Sequence, residues 1–216
     1  MRMVILSLLA LAAAAIIRKG LRYSHLSPLL PRKYNFGKRG VTLRETLRLL
    51  TERRCSVLVE TGVARNGLEK TKGDGASTIV FALWAKAHDA RLHTVDIDGG
   101  AIATAKTTLD SLHLTDCVKL HTSDSVAFLE AFDEPVDFLY LDSYDYHRHD
   151  TSIQQASQEH HLKEFKAIES RLHDGSFVLI DDCDLPAGGK GKLVIDYMLG
   201  RGWKMHLLKY QALLTR

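Results

Sequence analysis

Four apolar runs along the chain stop at a carboxylate. They read Val57-Leu58-Val59-Glu60, Leu92-His93-Thr94-Val95-Asp96, Phe138-Leu139-Tyr140-Leu141-Asp142 and Val178-Leu179-Ile180-Asp181-Asp182. Runs this short, apolar on both faces and separated by amphipathic stretches, predict buried parallel strands. The intervening residues supply the helices. Leu43, Leu47, Leu49 and Leu50 predict a helix over 42–53, and 76–87 predicts another with Ser77 or Thr78 near its start. Further helices are predicted over 99–112, from a Ser123 cap to Ala131, from a Ser157 cap to about Leu172, and over 192–199. Strands are predicted at 56–60, 91–96, 118–122, 136–142 and 176–181, followed by two short closing strands at 203–208 and 211–215. This alternation is the signature of an α/β fold with a Rossmann-like, doubly wound, mostly parallel sheet.

In such a sheet the carboxyl ends of the strands form the ligand crevice. A row of acids there is costly unless something binds them. Glu60 is followed by a loop containing Gly62, Gly67, Gly73 and Gly75, and then by the helix start at Ser77. Glycines let the backbone turn tightly and approach a ligand, and a helix N-terminus suits a carboxylate or phosphate. The spacing does not match the dinucleotide pattern G-x-G-x-x-G. Asp96 stands where an acid accepts both hydroxyls of a ribose, while Asp98 is expected to point away or cap the next helix. Ser123-Asp124-Ser125 falls where an adenine edge is read, with helix capping by Ser123 as a compatible role.

Asp142, Asp181 and Asp182 end strands about 5 Å apart if those strands are neighbours. Three close carboxylates repel one another, and a hard divalent cation such as Mg²⁺ would relieve the repulsion. Solvated loop acids and helix caps are the structural alternative. Lys190 and Lys192, among Gly188, Gly189 and Gly191, either hold an anionic substrate or are solvated loop lysines.

Charge is unevenly spread. Residues 1–44 hold nine Lys or Arg and no acid, which leaves 20 basic and 26 acidic residues for the remainder. The acidic body argues against nucleic acid as a partner. Cys55, Cys117 and Cys183 form neither a disulfide framework nor a zinc motif, which suits a reducing compartment. Residues 3–17 carry no charge, and Arg18, Lys19 and Arg22 follow. That pattern reads as a membrane anchor within segment 1–22 that keeps the domain cytoplasmic. A cleaved secretion signal, an organelle transit peptide and a packed helix are the other readings. Pro28, Pro31, Gly37 and Gly40 make 23–42 a linker, with the domain proper spanning 43–216.

Glu60-Thr61-Gly62, Val95-Asp96-Ile97-Asp98, Ser123-Asp124-Ser125, Leu141-Asp142-Ser143 and Ile180-Asp181-Asp182 occur in this order. The series resembles the class I S-adenosylmethionine-dependent methyltransferases, over about residues 43–216. The resemblance implies a seven-stranded sheet whose last strand is antiparallel. It implies the methionine part of the cofactor at Glu60, Gly62 and the following loop with Ser77, the ribose at Asp96, and the adenine near Ser123 and Asp124. The Asp142 and Asp181-Asp182 pattern is similar to the metal-dependent O-methyltransferases of the catechol and macrolide-sugar type. There the matching positions hold a metal that binds two substrate oxygens, so the acceptor would be a hydroxyl of a small molecule or sugar.

Two departures stand out. Leu68 to Asp74 is an insertion in the first loop, and the lysine base that follows the first metal aspartate in catechol enzymes is absent from Asp142-Ser143-Tyr144-Asp145-Tyr146-His147. Besides Asp142, the catalytic candidates are Asp145, His147, His160 and His161 as bases. The latter two are expected in the first turn of a Ser157-capped helix. An NAD-type Rossmann enzyme and a tethered, non-catalytic cofactor-binding module are the rival readings.

Overall fold

The computed structural model describes residues 11–14, 26, 29–30 and 33–216. Its centre is one seven-stranded sheet in the order β3-β2-β1-β4-β5-β7-β6. The strands are β1 (Val57–Thr61), β2 (Arg91–Asp96), β3 (Val118–Thr122), β4 (Val136–Leu141), β5 (Leu172–Ile180), β6 (Lys204–Leu208) and β7 (Ala212–Thr215). The first five run parallel, and β7 is antiparallel to both of its neighbours, β5 and β6. The order reverses between β1, which follows β2, and β4. This is the switch point at which open α/β sheets bind ligands.

Helices cover both faces: α1 (Gly40–Glu52), α2 (Ser77–His88), α3 (Gly99–Ser111), α4 (Ser125–Ala131), α5 (Thr151–Ile168) and α6 (Lys192–Gly200). Strand alternation divides the core in two. Leu58, Phe138, Tyr140 and Leu179 pack with Leu43, Leu50, Ile79, Phe81 and Trp84 of α1 and α2. Val59, Leu139, Leu141, Val178 and Ile180 pack with Phe165, Ile168, Val194 and Met198 of α5 and α6. Because side chains alternate along a strand, Glu60 and Asp142 share the face of Leu58 and Tyr140, on the side of α2.

Several boundaries differ from expectation. Asp150, not Ser157, caps α5, its carboxylate accepting from the Ser152 and Ile153 N–H groups. His160 and His161 therefore lie mid-helix rather than in the first turn. Asp124, not Ser123, caps α4 by accepting from Ala127 N. Helix α5 stops at Ile168, and Leu172, expected at its end, begins β5. Asp98 caps α3 as expected.

The largest difference lies before α1. Leu26, Leu30 and Phe36 are buried in the core and Arg39 is buried against Asp181, so these parts of the expected linker belong to the domain. Of the expected anchor, 3–17, residues 11–14 are helical and the rest lie outside the described residues. Among the described residues no helix is long and apolar enough to cross a membrane.

Candidate active site

At the end of β1 the chain enters the glycine loop through Gly62, whose φ of +82° is left-handed and where an added Cβ would lie 2.5 Å from the Asp142 carbonyl oxygen. Glycine is required here by the approach of β4, whatever binds above it. Glu60 is fully buried beneath the loop. It accepts from Ser77 Oγ at 2.5 Å and Thr78 Oγ1 at 2.7 Å. Desolvation pushes its carboxyl up to about 7, although the two hydroxyls pull the other way. Glu60 thus clamps the start of α2 instead of facing the cleft.

A cleft of about 270 Å³ opens beside the end of β2, lined by Asp96, Ile97, Asp124, Ser125, Ser143, Tyr144 and His160. Asp96 is held by the backbone: Oδ2 accepts from Val63 N at 3.1 Å and Oδ1 from Asp98 N at 2.9 Å. Ile97 is 75% exposed and gives the cleft an apolar wall. His160 donates or accepts at Ser125 Oγ, 3.0 Å away, and packs against the Tyr144 ring. Ser123 donates its N–H to the Asp96 carbonyl and lies outside the cleft lining.

A second cleft of about 210 Å³ lies across the end of β4. Its walls include Arg65, Asp74, Ser77, Asp142, Asp145, Asp182 and Lys190. Asp142, Asp181 and Asp182 converge here, with one oxygen from each within 4.8 Å of the others. Lys190, only 3% exposed, sits among them, its Nζ 2.6 Å from Asp142 Oδ1 and 3.6 Å from Asp182 Oδ2. Arg39 grips Asp181 with Nε 3.0 Å from both oxygens and Nη2 2.5 Å from Oδ2. Tyr210 donates to Asp182 Oδ1 and Tyr140 to Asp142 Oδ2.

The sequence over residues 72–183 matches the family model described as "Methyltransferase domain", which spans more than half the chain. The chain belongs to this methyltransferase family.

Solved structures share its fold at low identity. A methyltransferase from Podospora anserina with bound S-adenosylhomocysteine is 13% identical, with a TM-score of 0.59 over 89% of this chain and 86% of the other. An O-methyltransferase of tomaymycin synthesis from Streptomyces achromogenes, in complex with S-adenosylmethionine, is 14% identical, with a TM-score of 0.54 over 91% and 88%. An rRNA methylase from Streptococcus thermophilus is 15% identical, with a TM-score of 0.52 over 81% and 95%. No curated protein matches the sequence significantly.

The cleft at β2 offers Asp96, an acceptor already oriented by the backbone, beside the exposed, apolar Ile97. The three acids fit a divalent cation poorly. Each of their six oxygens already has a partner in Arg39, Lys190, Tyr140 or Tyr210. The charge relief expected from Mg²⁺ is supplied from within the chain by Arg39 and Lys190.

The catalytic candidates separate. Asp142 and Asp145 share the second cleft, with Asp145 paired to Arg65 at 3.0 Å. His160 lines the cleft beside β2. His161 is wholly buried, its Nδ1 2.7 Å from the Ser157 carbonyl, and burial pushes it down to about 4. It is therefore neutral near pH 7 and out of reach of an acceptor. Neither Arg39 nor Tyr210 stands in a motif recognisable from the sequence. Lys190 carried a signal in the glycines on either side of it.

Proposed function

We propose that this methyltransferase moves a methyl group from S-adenosylmethionine to a hydroxyl of a small, polar acceptor. The observation that carries the reading is the pairing of two clefts across the switch point: an apolar-walled one at Asp96 and a densely charged one at Asp142. When bound, S-adenosylmethionine supplies an electrophilic methyl group on a sulfonium. Asp96 would hold the ribose, Ile97 and Tyr144 would flank the base, and Arg65 and Asp74 offer opposite charges suited to the amino-acid end. Ser77 stands at the floor, fixed by Glu60.

The acceptor would enter the second cleft. Asp145, 80% exposed on its side chain and free of the buried cluster, is the group proposed to take the hydroxyl proton; a positioned carboxylate base is worth about 10²–10⁴ in rate. The O-methyltransferase among the structural neighbours is consistent with an oxygen acceptor. The rRNA methylase marks nucleic acid as the competing class, and the acidic balance of residues 45–216 supports the small molecule. Mass spectrometry of the purified protein for co-purified cofactor, followed by an acceptor screen with labelled S-adenosylmethionine, tests the reading. Calorimetry showing affinity for NAD and none for S-adenosylhomocysteine would overturn it.

A further inference from the structure

The three strand-end acids lie as closely as the ligands of a metal, yet the position between them is taken. Lys190 Nζ bridges Asp142 and Asp182 at 2.6 and 3.6 Å. Arg39 closes the other side, on Asp181 and, at 3.5 Å, on Asp182. A dication bound by the same oxygens would sit within a few ångströms of two fixed positive charges, where repulsion is strong in a poorly screened interior.

The lysine is held in place by the loop around it. Gly189 has φ +59°, and an added Cβ there would overlap the Asp182 carbonyl. Lys190 N donates to that carbonyl at 3.3 Å. From α5, Gln158 Nε2 donates to the carbonyls of Ala187 and Gly189, each at 3.1 Å. The glycine loop is thus pressed onto the end of β5 and delivers the ammonium to the acids. Burial opposes the charge on Lys190, but the neighbouring aspartates more than restore it and raise its pKa, so it remains a cation.

We propose that Lys190 occupies the place of a divalent cation, making this a metal-free site in which its ammonium holds the acceptor oxygen in the cleft. The role toward the acceptor rests on the methyltransferase reading; the occupation of the cation position does not.

Mn²⁺ is the probe, its binding to the full chain followed by the loss of the free-ion electron paramagnetic resonance signal. Wild type should bind no Mn²⁺ at millimolar concentrations. Lys190→Ala, and Lys190→Met as the shape-conserving variant, should each gain one site that Asp142→Asn removes. Circular dichroism on the same samples checks that the variants are folded. A stoichiometric Mn²⁺ site in wild type would overturn the proposal, whether or not the variants fold. Absence of binding in both wild type and folded variants would overturn the assignment to Lys190. S-adenosylhomocysteine binding, measured in parallel with a chelator present, reports on the cofactor reading separately. Its failure would leave the Mn²⁺ result standing.

Discussion

Thr78 Oγ1 lies 2.7 Å from Glu60 Oε2 and also accepts from Ala64 N at 2.9 Å. One hydroxyl therefore ties the end of β1, the loop beyond it and the first turn of α2. The acid at its centre is wholly buried, and desolvation lifts it to about 7 from the ordinary 4.5. A carboxyl whose folded pKa is raised binds its proton more tightly than in the unfolded chain. Its contribution is therefore most favourable below the unfolded pKa and declines as pH rises through the folded one.

Glu60→Gln should then gain on wild type as pH rises. The difference in unfolding free energy between variant and wild type should grow by about 3 kcal/mol between pH 4.5 and 7, a shift of some 2.5 pKa units at about 1.4 kcal/mol each. Urea unfolding at pH 5 and pH 8 measures it. A difference that is the same at both values would show that Glu60 titrates normally.

Arg39 and Asp181 form a pair with side chains 8% and 0% exposed. Removing one member leaves a buried charge alone, which costs about 3–5 kcal/mol. Arg39→Met should lower stability by that amount, and Asp181→Leu on top of it should recover part of the loss. Denaturant titration of the two singles and the double decides the point, and additive losses would contradict the coupling.

The contrast between these two sites shows what the sequence could reveal. The strands and their terminal acids were legible because burial on both faces forces short continuous apolar runs, and because parallel topology aligns their carboxyl ends. The seven-strand count and the placement of Asp96, Asp98 and Asp142 followed. The sequence does not settle the start of α5, because Ser157 and Asp150 are equally plausible caps in a polar stretch and only the packing of Gln154 and Ser157 against the preceding loop selects Asp150. Arg39 was hidden for a different reason. Among nine basic residues in the first 44, nothing local distinguishes the one that turns inward. Its partner lies 142 residues away, and without that partner in view the sequence makes the three acids resemble a metal site.

Asp96 is predicted to carry much of the cofactor affinity. Its two oxygens are already oriented by Val63 N and Asp98 N, so little ordering remains to be done on binding. Losing hydrogen bonds to a charged acceptor costs about 1.5–3 kcal/mol. Asp96→Ala should therefore weaken S-adenosylhomocysteine binding by roughly tenfold to a hundredfold. Calorimetry would show this directly, and an unchanged dissociation constant would remove Asp96 from the site.

His160 and Asp145 make a final pair of opposed expectations. His160 lines the cleft proposed for the nucleoside, where it contacts Ser125 and Tyr144, while Asp145 lines the cleft proposed for the acceptor. His160→Ala should raise the dissociation constant for S-adenosylhomocysteine while leaving the pH profile of kcat in shape. Asp145→Asn should lower kcat by about 10²–10⁴ with S-adenosylhomocysteine still bound, its affinity changing only through release of Arg65 from the ion pair. Single-turnover methyl transfer, with cofactor affinity measured on the same preparations, separates the two. If His160→Ala abolished turnover with cofactor affinity intact, the base would belong on α5 and the assignment of the clefts would have to be reversed.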